Sequence, residues 1–178
     1  MTPPTLTTAR LTLGPASPAH AEAFIAFCAT EDSRFIGGPA ERRDAWEGAA
    51  IGAGLWALRG HGPFWVSAGG VPVGRVGLYH PDWRTEPELT WVIYPAYQGR
   101  GYATEAALAA RDWAARALGL PPLVSLIDSE NTASERVAEK LGARLEGPHV
   151  PNGGRPVQRW RHPGGLAGRA APSYEVAA

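Results

Sequence analysis

Residues 94–103 read Tyr-Pro-Ala-Tyr-Gln-Gly-Arg-Gly-Tyr-Ala, and how this stretch turns decides the layout of the rest of the chain. Pro95 stops a strand ladder because it has no N–H to donate. Gly99 and Gly101 let backbone N–H groups converge with no side chain in the way. Helical periodicity starts directly afterwards, over Tyr102 to Leu118. There Ala103, Ala107, Ala110, Ala114 and Ala117 form an apolar stripe, and Glu105, Asp112 and Arg116 form the wet face. So many alanines on the buried stripe imply close approach to a sheet. A helix N-terminus behind such a turn offers unpaired N–H donors and partial positive charge, which suits a phosphate or pyrophosphate. Arg100 can add a charge-assisted contact. A tight strand-to-helix turn with no ligand fits the spacing equally well. Two other phosphate loops fit badly. The turn has no lysine for a mononucleotide P-loop, and Thr104 stands where the dinucleotide fingerprint wants a third glycine.

Upstream of the turn the pattern has the period of strands. Phe64–Ala68, Val71–Tyr79 and Leu89–Tyr94 succeed one another, joined by Gly69-Gly70 and by a longer loop through Pro81 and Pro87. Before them come a first strand over Leu6–Leu13 and a helix from the Ser17-Pro18 cap to about Ala29. A second helix runs from about Ala40 to Leu58. Downstream, Pro121-Pro122 introduce a strand over Leu123–Ile127, and Asn131 caps a short helix that stops at Gly142. Strands fit Arg144–His149 and Pro156–His162. Antiparallel strands followed by a strand-helix-strand crossover predict an α/β chain (α+β mixed sheet) with helices on both faces and six to seven strands. The expected division is one domain over residues 1–163 and a flexible tail over 164–178, which shows neither period.

Composition narrows the function classes. Seventeen basic residues balance seventeen acidic ones, so no net field favours nucleic acid or anionic lipid. Cys28 stands alone, which leaves no disulfide framework and no thiolate metal site, and the five histidines lack metal spacing. The N-terminus has no signal-peptide pattern, and no apolar run approaches the roughly 20 residues of a membrane span. The expectation is a cytoplasmic protein without a metal.

Gln98-Gly-Arg-Gly-Tyr-Ala103 resembles the Gln/Arg-x-x-Gly-x-Gly/Ala signature of the GNAT N-acetyltransferase superfamily. The wider stretches GRGYATEAALAARDWA and NTASERVAEKLGA resemble its ribosomal-protein N-terminal acetyltransferases, the RimJ/RimL type. The resemblance runs over roughly residues 6 to 162, through the opening TARLTL, the Gly37-Gly38 loop and the strand ELTWVI. It implies the GNAT acyl-CoA N-acyltransferase fold and acetyl-CoA as cosubstrate. The activity implied is transfer of acetyl to a primary amine by direct attack in a ternary complex.

Residue by residue, the resemblance implies that the Leu89–Tyr94 strand splays from Leu123–Ile127, with the pantetheine arm in the gap. The backbone of Val92, Ile93 and Tyr94 would meet that arm, and one N–H would polarise the thioester carbonyl. The pyrophosphate would rest on Gln98, Gly99, Arg100, Gly101, Tyr102, Ala103 and Thr104. Asn131 matches a position near the arm, and a plain N-cap serves it equally. Glu88 stands where relatives carry a glutamate proposed as general base; an exposed strand carboxylate in a salt bridge is the alternative. Ser134 matches a serine proposed to help the leaving group, with helix-start capping as its alternative. The tyrosine that many members use as general acid is Ala138 here, which leaves Ser134, a water or solvent for that proton.

Arg34, Phe35 and Ile36 border the acceptor groove in relatives, and Trp83 is a pocket candidate, whereas Trp91 and Trp113 read as core. The acceptor is a protein N-terminal α-amine or a small amine such as an amino acid, polyamine or aminoglycoside. A site with one modest base suits an α-amine of pKa roughly 7.7–8.0 more easily than a lysine amine of roughly 10.4. A non-catalytic module that binds acetyl-CoA as a sensor is the reading from another class. The implied partners are acetyl-CoA and the amine, with no nucleic acid and no membrane; a homodimer is left open.

Overall fold

The computed structural model describes residues 2–151, 154–164 and 174–177. The helix behind the glycine turn, α3, has the bounds its periodicity requires, Tyr102–Leu118; it is named for its place in the chain, after α1 (Pro18–Cys28) and α2 (Arg42–Arg59). Ser17 caps α1 by accepting the His20 N–H, and Pro18 fills the first helical position, where its missing N–H costs nothing. A short 3-10 segment, Glu31–Ile36, lies between α1 and α2.

The expected first strand is two, β1 (Leu6–Thr7) and β2 (Thr12–Gly14), folded against each other as a hairpin with Leu6 opposite Leu13. The Thr8 hydroxyl and N–H meet Leu11 across the bend, which breaks the ladder that periodicity alone suggests. Then follow β3 (Pro63–Ala68), β4 (Val71–Tyr79), β5 (Glu88–Ile93), β6 (Val124–Ile127), helix α4 (Thr132–Lys140), β7 (Arg144–His149) and β8 (Val157–Arg161). A final β9, Glu175–Val176, pairs antiparallel with β1. Among the described residues the sheet has nine strands in the order β7-β8-β6-β5-β4-β3-β2-β1-β9. Only β5 and β6 run parallel, joined by the α3 crossover.

Alternation sorts the side chains onto two faces. On one face Phe64, Val66, Val76, Leu78 and Leu89 pack with Ala106, Ala107, Ala110 and Trp113 of α3. The small alanines bring the helix axis close, and Trp113 fills the end of this layer against Phe64 and Trp56. On the other face α1 and α2 cover Trp65 and Tyr94 with Phe24, Phe27, Ala45 and Ala49. Asp112, expected on the wet side of α3, is fully buried, with Arg111 at 4.0 Å. Ala117, expected on the stripe, is exposed.

The C-terminal residues do not follow the tail expectation where the structure describes them. Residues 165–173 lie outside the described set, but Tyr174 is buried in the main core and β9 extends the sheet. A two-residue strand carries no period to read. Deleting residues 164–178 is therefore expected to destabilise the protein by about 2–3 kcal/mol, the worth of one large buried side chain and its strand pairing. Urea denaturation of the truncated chain checks this.

Candidate active site

The parallel pair β5/β6 is in register at one point, Glu88 opposite Val124. Beyond it the strands part, and the gap joins a cleft of about 710 Å³ that passes under α1 and α2. This volume is in the usual range for a small-molecule site. The closed end of the gap is locked by a buried chain of polar groups that sequence reasoning missed. The Ser125 hydroxyl donates to the Leu89 carbonyl at 2.6 Å, and Ser125 Oγ lies 2.8 Å from His162 Nε2. With the one serine proton committed, the imidazole Nε2–H is the donor of the second bond. Burial, reinforced by Arg111 and Arg161, holds His162 down to about 4, so the ring is neutral at pH 7.

Which backbone groups face the gap follows from the β4/β5 ladder. Tyr94 N–H donates to the Val73 carbonyl at 2.9 Å. Alternation then turns the N–H and C=O of Val92 toward β4 as well, and those of Trp91 and Ile93 toward the gap. The expected backbone contacts of Val92 and of the Tyr94 N–H are therefore already spent on β4, and the Tyr94 carbonyl accepts the Tyr97 N–H at 2.9 Å, although the Val92 side chain lines the cleft. The Ile93 carbonyl is in turn taken by Gln98, whose Nε2 donates to it at 2.8 Å. Ile93 N–H and both groups of Trp91 are what this strand can offer to a ligand in the gap.

Glu88 begins β5 on the cleft side, its side chain only 9% exposed. Arg84 Nε stands 3.6 Å from the carboxylate, and the Leu126 N–H donates to it. Burial outweighs both and pushes the carboxyl up to about 7. The ion pair weighed from the sequence is thus present, but around a buried group rather than an exposed one.

Across the gap, Asn131 is the N-cap of α4, its Oδ1 accepting the Ser134 N–H at 3.1 Å. Ser134 is therefore not the cap. Its Oγ accepts the Trp91 indole N–H at 3.2 Å, which leaves the hydroxyl proton to be donated into the cleft that Ser134, Asn131 and Trp91 all line. Trp91, read from the sequence as core, is half-buried and positions Ser134. Ala138 is fully buried, as its place in α4 requires. Arg34, Phe35 and Ile36 line the far part of the cleft. Trp83 instead borders a separate pocket of about 50 Å³ behind Glu88.

The glycine turn sits at the end of β5. Gly99 and Gly101 have φ of 74° and 79°, a region where a Cβ costs about 1–2 kcal/mol. Gly101 caps α3 without a side chain, so the first N–H groups of the helix, on Tyr102, Ala103 and Thr104, point out of its end unpaired by the helix itself. Arg100 donates to the Ala96 carbonyl, while its own carbonyl accepts from Arg10 at 2.8 Å. Arg10 is tied to Glu105 at 2.6 Å, and Thr8 donates to the same carboxylate. This tie from the β1/β2 bend, invisible in the sequence, fixes the turn.

The fold and the glycine turn are those of one family. Residues 10–144 match the family described as "Acetyltransferase (GNAT) domain". The chain belongs to the GNAT acetyltransferase family. An acetyltransferase from Agrobacterium tumefaciens str. C58 of known structure is 36% identical, with a TM-score of 0.85 over 92% of this chain and 96% of its own. Spermidine N(1)-acetyltransferase of Escherichia coli (strain K12) is 37% identical over 47% of this chain and 46% of its own. L-2,4-diaminobutyric acid acetyltransferase of Streptomyces coelicolor is 37% identical over 46% of this chain and 59% of its own. The chain spans about half the length of the curated relatives it matches. Among the described residues no group of three or more His, Cys, Asp or Glu could hold a metal ion, and no helix is long and apolar enough to cross a membrane.

Proposed function

We propose that the chain transfers acetyl from acetyl-CoA to a primary amine by direct attack in a ternary complex. The observation that carries this reading is a buried carboxyl of pKa about 7, Glu88, at the point where β5 and β6 part. A base of that pKa is about half ionised at pH 7 and matched to an ammonium of roughly 7.7–8.0. Glu88 takes a proton from the incoming amine, whose nitrogen bonds to the thioester carbon as the C–S bond breaks. The Ile93 or Trp91 N–H, held by the ladder, polarises the thioester carbonyl. Ser134, kept oriented by the Trp91 indole, donates its proton to the departing thiolate and is restored by the second proton that the nitrogen gives up as the amide forms.

The pyrophosphate rests on Gln98 to Thr104, with the unpaired N–H groups of Tyr102, Ala103 and Thr104 as its donors. Asn131 holds the α4 end of the arm's path and caps that helix at once. The α-amine of a protein N-terminus, the acceptor of the RimJ/RimL branch, suits this base; the names of the relatives extend the class to small amines. Cys28 lies in the floor of the cleft, but burial pushes its thiol up, so a route through an acyl-enzyme is disfavoured. A single reduced thiol also suits a cytoplasmic setting.

The test is coenzyme A release with a panel of primary amines, paired with calorimetry on Gly101→Val. A Cβ at φ 79° costs about 1–2 kcal/mol of stability. The same side chain also stands among the phosphate donors, so acetyl-CoA affinity is expected to fall at least about tenfold. Unchanged affinity in the folded variant would remove the pyrophosphate from this turn.

A further inference from the structure

One charged side chain of the cleft has no part in that chemistry. Arg75 stands on β4 opposite Val92, on the sheet face that also carries Tyr79, Thr90 and Glu88. Its Nη1 donates to the Gly48 carbonyl at 3.1 Å, and its Cζ lies 4.2 Å from the Phe24 ring centre. A guanidinium has five N–H donors; the others of Arg75 have no partner among the described residues, and the side chain lines the cleft. Its titratable neighbours Tyr94, Cys28 and Tyr79 supply no counter-charge, because burial pushes all three up and keeps them neutral.

The other half-buried arginine of the cleft faces a carboxylate, Arg84 beside Glu88, and Arg155 is matched by Asp128 at 3.2 Å. Arg34 is exposed at the mouth, against Phe35. Asp44, the remaining acid of the lining, is exposed on the first turn of α2. The helix above Arg75 also makes room for it. At Gly52 a Cβ would come within 3.0 Å of Nη1, and glycine in a helix interior costs roughly 1 kcal/mol against alanine. A half-buried guanidinium with open donors and no counter-ion is an unfavourable arrangement that a bound anion relieves.

We propose that Arg75 binds an anionic group of the acceptor, so that the amine acetylated here carries a carboxylate several bonds away. The register bounds the span: Val92, opposite Arg75, is four residues along β5 from Glu88, roughly 13 Å of backbone, and the arginine and glutamate side chains shorten that distance from either end. A free ω-amino acid and a peptide whose second residue is acidic both meet this requirement. A polycation does not. The inference rests on the acetyl-transfer reading above.

The experiment compares kcat/KM for matched acceptors that differ only in the anion. One pair is 6-aminohexanoate and its carboxamide; the other is the dipeptides Ala-Glu and Ala-Gln, both with amidated C-termini; spermidine is the cationic reference. In the wild-type protein the carboxylate member of at least one pair should be favoured by about 10–100-fold, and which pair tells the source. In Arg75→Met that ratio should collapse toward one, and Arg75→Lys should keep part of it. A variant that is merely loosened would lower both members of a pair and leave their ratio unchanged, which would overturn the role of Arg75. If Arg75→Met does not fold, the wild-type ratios decide. Amides or spermidine turned over as well as the carboxylates would overturn this inference and leave acetyl transfer standing. No coenzyme A release from any amine would overturn both.

Discussion

Glu88→Gln is expected to lower kcat/KM for a good acceptor by about 10²–10⁴, or roughly 3–5 kcal/mol of barrier, while acetyl-CoA affinity barely changes. Glutamine keeps the shape and can still meet the Leu126 N–H through its carbonyl, but it has no basicity. The pH profile separates this outcome from a structural one. In the wild-type protein the base is active as the carboxylate, so kcat/KM should rise as pH passes through about 7, where burial places the carboxyl. The variant should lack that rise and keep only the one set by the amine. Its deficit then shrinks as the amine's own pKa is approached and solvent supplies the neutral nucleophile. Parallel profiles, or a variant within a few-fold of wild type throughout, would return Glu88 to its ion pair with Arg84 and leave water as the base.

The same shift has a consequence for stability, opposite in direction to that of an ordinary ion-paired carboxylate. A carboxyl raised from 4.5 to about 7 binds its proton more tightly in the folded state than in the unfolded one. Its favourable contribution is complete below about pH 4.5 and is lost as pH rises through about 7. Glu88→Gln removes this dependence, so its stability relative to wild type should improve between pH 4.5 and pH 8 by an amount on the order of 3 kcal/mol. Urea denaturation at both pH values measures it. An improvement on acidification instead would mean that Arg84 dominates and that the base is not poised.

The parts of this site that were legible in the sequence are those in which one element carries its own signal. α3 keeps its bounds because seventeen consecutive residues repeat one period. The Ser17 and Asn131 caps are local, each reaching a backbone N–H three residues on. What was not legible is contact across the chain. Arg10 and Thr8 reach Glu105 over more than ninety residues, and no period or spacing announces the tie. Trp91 alternates like any core residue of a strand, and only the parting of β5 from β6 exposes it to the cleft. The ladder phase that turns Ile93 rather than Val92 toward the gap depends on register, which is settled by the neighbouring strand. Asp112 and Tyr174 were misjudged together, one as wet and one as tail, and both are in the interior.

Ser125→Val is expected to cost about 3 kcal/mol or more of stability. Valine fits a strand and matches threonine in outline, so set against Ser125→Thr the loss is of partners rather than of backbone preference or bulk. The Leu89 carbonyl loses its 2.6 Å donor and His162 Nε2 its acceptor, both inside a site where Ser125 and His162 are 2% and 1% exposed. Each orphaned buried group costs about 1–3 kcal/mol, and the added methyl groups keep replacement water out. Ser125→Thr retains the hydroxyl and should recover most of the difference, which separates hydrogen bonding from packing. The effect should also reach the cleft, because this chain of bonds ties β5 to β6 at the end where the gap closes. In Ser125→Val the two strands keep there the Glu88/Val124 register and the Leu126 N–H bond to the Glu88 carboxylate, but lose the buried link to the Leu89 carbonyl. The rate should then fall further than acetyl-CoA affinity, since Glu88 sits next to the lost bond and the glycine turn is at the opposite end of β5. Urea midpoints for the two variants, with kcat and acetyl-CoA Kd for each, test both statements. Equal stability of Ser125→Val and wild type would show that the Leu89 carbonyl and His162 find other partners and that packing and strand pairing suffice to close that end of the gap.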